Sequence, residues 1–108
     1  MVYTIVYTNR NSGVTGDTTL FDWDDYNIDH IAEHGLEPEE VEEALHDPRR
    51  IGVSAYNVGH ERRWAVLGAT EDGRILFVVF TRRQRLIRVV TARGATDREK
   101  HWYRAKGK

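Results

Sequence analysis

Arg63-Trp64-Ala65-Val66-Leu67-Gly68-Ala69-Thr70, then Glu71-Asp72-Gly73, then Arg74-Ile75-Leu76-Phe77-Val78-Val79-Phe80-Thr81: how this run is read decides the fold. An Asp-Gly pair between two apolar, β-rich arms predicts a hairpin, because glycine supplies the left-handed backbone of a tight turn. The second arm is apolar at consecutive positions, so both of its faces are covered and the strand is central. Outward from the hairpin, residues 51–56 predict a preceding strand, with a polar loop through Asn57, Gly59 and His60. Arg82-Arg83-Gln84 turns into a further strand over residues 86–92. Four strands in succession make an antiparallel meander.

Upstream, the period changes from two to about 3.6 residues. Asp24 or Asp25 can cap a helix reaching His34, with Gly35 as its left-handed stop and Ile28, Ile31 and Ala32 as its apolar stripe. Pro38 suits a first helical turn, and Val41, Ala44 and Leu45 form the stripe of a second helix that ends at Asp47-Pro48. At the other end Thr96 or Asp97 caps a last helix, with Glu99 placed for a reciprocal cap. The expected class is α+β: two N-terminal helices, a meander of about four strands, and one C-terminal helix. Residues 21–108 form this domain. Residues 1–20 read as an extension, with a possible strand over residues 2–8, a turn-rich link, and Phe21-Asp22-Trp23 as a short extended piece beyond it. Trp23, Trp64 and Trp102 are expected in the core.

With 108 residues, 40% of them hydrophobic and 31% charged, the chain suits one soluble domain with its own core. Cysteine is absent, which excludes disulfides, thiolate metal sites and cysteine nucleophiles. No apolar run approaches the roughly 20 residues of a membrane span. The N-terminus lacks the basic start and apolar centre of a signal peptide, so a cytoplasmic protein is expected. The net charge of −1 hides a strong asymmetry. Residues 1–47 carry one base against twelve acids, a net of −11; residues 48–108 carry fifteen bases against five acids, a net of +10. Such a split predicts two opposed surfaces, one able to attract a polyanion, unless the halves neutralise each other across a packed interface.

Arginines crowd the meander: Arg63, Arg82, Arg83, Arg88 and Arg93. Strict alternation would put Leu86, Arg88, Val90 and Ala92 on one sheet face and Ile87, Val89, Thr91 and Arg93 on the other. An arginine between apolar neighbours needs an anionic partner: a carboxylate such as Glu61, Glu71 or Glu99, or a bound phosphate. His30-Ile31-Ala32-Glu33-His34 matches the His-x-x-Glu-His pattern of some zinc proteases and puts both imidazoles on one helical face, with no obvious third ligand downstream. His34 at a helix end can equally serve as a general acid or base, and His60, beside Glu61 and two arginines, is a second candidate. No nucleophile elbow or phosphate-cradling glycine loop is present.

Phe21-Asp22-Trp23-Asp24, His34-Gly35-Leu36 and the Pro38-Glu39-Glu40-Val41 helix resemble the front half of the BrnT-like toxins of bacterial type II toxin–antitoxin modules. Arg63-Trp64-Ala65-Val66-Leu67-Gly68 resembles their arginine-led strand. Ile87-Arg88-Val89-Val90-Thr91-Ala92-Arg93, followed by Ala95-Thr96, Glu99 and Tyr103, resembles their closing signature. The resemblance implies a fold like the RelE ribonucleases, translation inhibition by metal-independent RNA cleavage, no cofactor, an RNA substrate, and a DNA-binding antitoxin partner of the ribbon-helix-helix kind.

On that resemblance the catalytic set is His34, Arg63, Arg88 and Arg93, with Arg82, His60 and Tyr103 in RNA or phosphate binding. The chain departs from the family where Glu33 replaces a lysine before His-Gly and where a second helix lysine is missing near Asp25-Tyr26-Asn27. These losses favour a rival reading: a non-catalytic module docking an antitoxin or nucleic acid through its basic sheet face. A zinc hydrolase built on His30, Glu33 and His34 is the third reading.

Overall fold

A computed structural model describes residues 2–8 and 18–106. The chain runs β1 (Val2–Thr8), β2 (Thr18–Asp24), α1 (Asp25–Ala32), α2 (Pro38–Leu45), β3 (Ile51–Val58), β4 (Glu61–Ala69), β5 (Ile75–Arg83), β6 (Leu86–Gly94) and α3 (Asp97–Lys106). The α+β class, the two front helices, the meander β3–β6 and the closing helix follow the expectation. The expected turn-rich link over residues 9–17 lies outside the described residues.

The sheet is larger than a four-stranded meander, and it is mixed. Its order is β1-β2-β6-β5-β4-β3, with β1 antiparallel to β2 and β2 parallel to β6 through Phe21 and Ile87. Phe21-Asp22-Trp23 is thus the interior of a strand. A parallel partner about sixty residues away leaves no local signature, whereas hairpin partners do. Among the described residues no helix is long and apolar enough to cross a membrane.

α1 and α2 pack on one face of the sheet. Phe21 and Trp23 from β2, Ile31 from α1, Val41 and Ala44 from α2, and Leu76, Val78, Val89 and Ala92 from the strands are fully buried together. Each large side chain of this kind contributes roughly 1.5–3 kcal/mol on burial. α2 lies so close to β4 that a Cβ on Gly68 would collide with the Ala44 carbonyl oxygen, so only glycine fits there. Inside this core Trp23 Nε1 donates to Glu42 Oε2 at 2.8 Å, tying β2 to α2. Burial, with Glu39 nearby adding to it, pushes the Glu42 carboxyl up to about 7 against the pull of that hydrogen bond.

The caps follow the sequence. Asp24 accepts from the Asn27 amide at the start of α1, and Gly35 takes a φ of 73° just beyond its end. Thr96 Oγ1 accepts from the Glu99 amide while Glu99 Oε1 accepts from the Thr96 amide. Trp102 departs from expectation: it is 43% exposed, because α3 turns that ring outward beside the outer strand β3. Trp64 is half-buried and stacks on Phe80 at 5.6 Å.

Candidate active site

Cross-strand partners share a face of a sheet, so the register fixes which arginines can meet. Tyr56 pairs with Arg63, Arg63 with Thr81, and Thr81 with Arg88. The four residues form one row across β3, β4, β5 and β6 on the face opposite Val78 and Val89. Arg83 lies two residues beyond Thr81 and joins that face.

Strict alternation fails along β6. Val79 pairs with Thr91 but Phe80 pairs with Val89, which leaves Val90 as the extra residue of a bulge. The bulge puts Arg88, Thr91 and Arg93 on one face and Val89 with Ala92 on the other, correcting the expected partition. β2 leaves β6 after Phe21, and α1 takes over beside that edge. Asn27 Nδ2 donates to the carbonyls of Asp22 and Val89, both at 3.1 Å, and so closes the join.

Between α1 and the arginine row lies a cleft of about 410 Å³, lined by Tyr26, Asn27 and His30 from α1 and by Glu61, Arg63, Thr81, Arg83, Arg88 and Thr91 from the sheet. Arg63 Nε donates to Glu61 Oε2 at 2.9 Å, and Arg83 reaches Glu61 Oε1 at 3.2 Å. Those hydrogen bonds, the Arg63 one foremost, outweigh burial and hold the Glu61 carboxyl below its usual range. Arg88 meets Asp24 at 3.0 Å and Asp22 more loosely at 3.6 Å. Asp22 Oδ1 is buried without a hydrogen-bond partner. At Asp24 burial works upward, but the Asn27 amide and the Arg88 guanidinium overcome it and lower the carboxyl. His30 Nε2 lies 3.1 Å from Thr91 Oγ1, the hydroxyl that the bulge aims at α1.

Of the catalytic and phosphate-binding set expected from sequence, the fold brings Arg63 and Arg88 together in the lining and leaves His34, Arg93, Arg82, His60 and Tyr103 outside it. His34 is exposed in the turn just past the end of α1, its ring 5.9 Å from that of His30 in an edge-on contact. Arg93 makes two bonds to Glu99, at 2.8 and 3.0 Å, and its guanidinium lies over the Phe77 ring. Arg82 pairs with Ile87, so it belongs to the opposite face. His60 is exposed in the β3–β4 turn. Tyr103 donates to Asp47 Oδ2, which also accepts from the Ala69 amide; burial and that carboxylate push its hydroxyl up to about 12.

His30, Arg83 and Tyr26 line the cleft instead. His30 follows Asn27 by three residues and Tyr26 by four, a spacing that places all three on one side of α1. Arg83 differs from Arg82 only in parity, which the hairpin register sets. Among the described residues no group of three His, Asp or Glu side chains could hold a metal ion, so His30, Glu33 and His34 gain no further ligand from the fold.

The site therefore concentrates three guanidiniums, each engaged by a carboxylate, around an open space with one imidazole at its wall. Planar guanidinium forks can exchange carboxylate oxygens for phosphate oxygens with little change of geometry. No curated protein matches the chain. The model of one protein family, described as "Ribonuclease toxin, BrnT, of type II toxin-antitoxin system", matches residues 23–99, a span that runs from Trp23 in the core to Glu99 at the cap of α3 and takes in the whole arginine row. The chain thus belongs to the BrnT family of ribonuclease toxins from type II toxin–antitoxin systems.

Proposed function

We propose that the protein cleaves RNA without a metal ion, in the cleft between α1 and the sheet, and inhibits translation in the cytoplasm by doing so. The observation that carries this reading is the convergence of Arg63, Arg83 and Arg88 with His30 on one open space. Family membership implies an RNA substrate and an antitoxin. We take the antitoxin to be a ribbon-helix-helix protein and the fold to be akin to that of the RelE ribonucleases.

In this chemistry the 2′-oxygen attacks the adjacent phosphorus, the P–O5′ bond breaks, and a 2′,3′-cyclic phosphate forms. His30 accepts the 2′-hydroxyl proton. Arg63 and Arg88 hold the non-bridging oxygens and offset the charge that grows on them. His34, in edge contact with His30, serves as the second proton carrier for the departing 5′-oxygen. His60 and Arg82, near the hairpin turns at one end of the sheet, suit the flanking phosphates. Arg93 and Tyr103 support the site through α3, by way of Glu99 and Asp47.

The test is cleavage of a single-stranded RNA by purified protein in the presence of a chelator. The expected products carry a 2′,3′-cyclic phosphate, and Arg88→Ala lowers kcat by roughly 10²–10³. Activity that appears only on adding a divalent cation overturns the mechanism. The carboxylates already seated on all three arginines favour a second reading, a non-catalytic docking face. Binding of RNA or antitoxin that Arg88→Ala abolishes, with no cleavage by the parent protein, would establish it.

A further inference from the structure

Only a few large apolar side chains among the described residues are substantially exposed, and the most exposed of them is Tyr26, at 77%. It stands on the α1 wall of the arginine cleft. Tyr56, 39% exposed, ends the arginine row on the opposite side, where its side chain interacts with the Arg63 guanidinium. Two aromatic rings thus flank one cationic floor. β3 and β6 are three strand spacings apart, about 15 Å, so the rings stand too far apart to hold a single base between them.

We propose that Tyr26 and Tyr56 are stacking platforms for bases on either side of the bound phosphate, and that they make the site selective for unpaired RNA. The inference rests on the RNA-cleaving reading of the cleft. Its physical basis is the division of charge around the two walls. Asp25 and Asp29 accompany Tyr26 on α1, so a phosphate is repelled there while an uncharged base face is accepted. The guanidiniums on the floor take the phosphate. A base can lie on either ring only when it is splayed out of a helix, and duplex RNA does not offer that face.

The test separates binding from cleavage by using a single-stranded RNA with one 2′-deoxy residue at the cleavage position, read by fluorescence anisotropy. Tyr26→Ala should weaken this RNA roughly tenfold or more and leave the affinity for a duplex of the same sequence unchanged. Tyr26→Trp should restore binding, and Tyr56→Phe should bind better than Tyr56→Ala. A single abasic site at the contacted nucleotide should erase the difference between the parent protein and Tyr26→Ala. Both tyrosines are exposed, so unchanged thermal melts are expected and report that the variants fold.

An equal loss on single-stranded and duplex RNA, or no loss at all, overturns the stacking role. If the parent protein cleaves RNA and Arg88→Ala does not, while Tyr26→Ala matches the parent, the stacking proposal alone fails. If the parent protein binds but never cleaves, the nuclease reading fails, and the abasic comparison still decides whether the rings stack.

Discussion

Arg88 and Arg93 are five residues apart on one strand and face the same way, yet their surroundings assign them different work. Arg88 opens onto the cleft with one firm and one loose carboxylate contact, whereas Arg93 is held by both Glu99 oxygens and capped by Phe77. Arg93→Ala should therefore cost stability, on the order of 2 kcal/mol from the lost charged hydrogen bonds, and leave kcat/KM of the folded protein within a few-fold. Arg88→Ala should instead abolish cleavage, and it should cost stability as well, because it strips the cation from the largely buried Asp22 and Asp24. Urea titration beside single-turnover cleavage reads both, and only the kinetic loss separates the two arginines. Glu42 makes a second prediction at this scale. Its folded-state value of about 7 lies above the unfolded 4.5, so the folded form binds more protons in between. Its contribution is thus greatest below about pH 4.5, declines as the pH rises towards 7, and stays lost above that, about 3 kcal/mol in all. Glu42→Gln keeps an acceptor for Trp23 Nε1 and carries no charge. The variant should melt several degrees above the parent at pH 8 and level with it near pH 4.5. Parallel melting curves at the two pH values would contradict this.

At the level of the elements, what the sequence discloses is whatever local chemistry dictates. The Glu71-Asp72-Gly73 turn, the Asp24 cap, the Pro38 start of α2 and the reciprocal Thr96–Glu99 cap each leave a signature within four residues, and each element stands where that signature puts it. The parallel seam between β2 and β6 and the bulge at Val90 leave none, since both are settled by partners far along the chain. That is why the sequence groups Arg63 and Arg88 only on a family resemblance, together with Arg93 and His34, which lie outside the cleft, and names Arg83 and His30 without placing them in it. Parity at the β5–β6 hairpin and the path of α1 along the β6 edge exist only in three dimensions. Gly68 is a similar case, an unremarkable strand glycine in the sequence and the point where α2 touches β4 in the fold. Gly68→Ala must push α2 off the sheet, because the colliding atom is backbone and cannot rotate away. Its cost should reach or exceed the upper end of the usual ~1–3 kcal/mol for overpacking, read as a fall in the urea midpoint.

For the molecule as a whole, the split of −11 and +10 between the two parts of the chain is offset at the cleft. Asp22 and Asp24 from the acidic part meet Arg88, and Glu61 meets Arg63 and Arg83, so the cleft is close to neutral before any ligand arrives. That predicts a weaker salt dependence than an arginine count suggests. Three guanidiniums freely exchanging counterions for single-stranded RNA phosphates would give a slope of log K against log salt near −2. With carboxylates already in place, the parent slope should be clearly shallower. Glu61→Gln releases Arg63 and Arg83 while Asp22 and Asp24 keep Arg88. With two of the three guanidiniums released, its slope should steepen towards about −1.4, and its affinity at low salt should rise about tenfold, with the two proteins converging at high salt where exposed charges are screened. An identical slope for Glu61→Gln and the parent would mean that Arg63 and Arg83 never reach phosphate, and the charge asymmetry of this chain would then serve its folding alone.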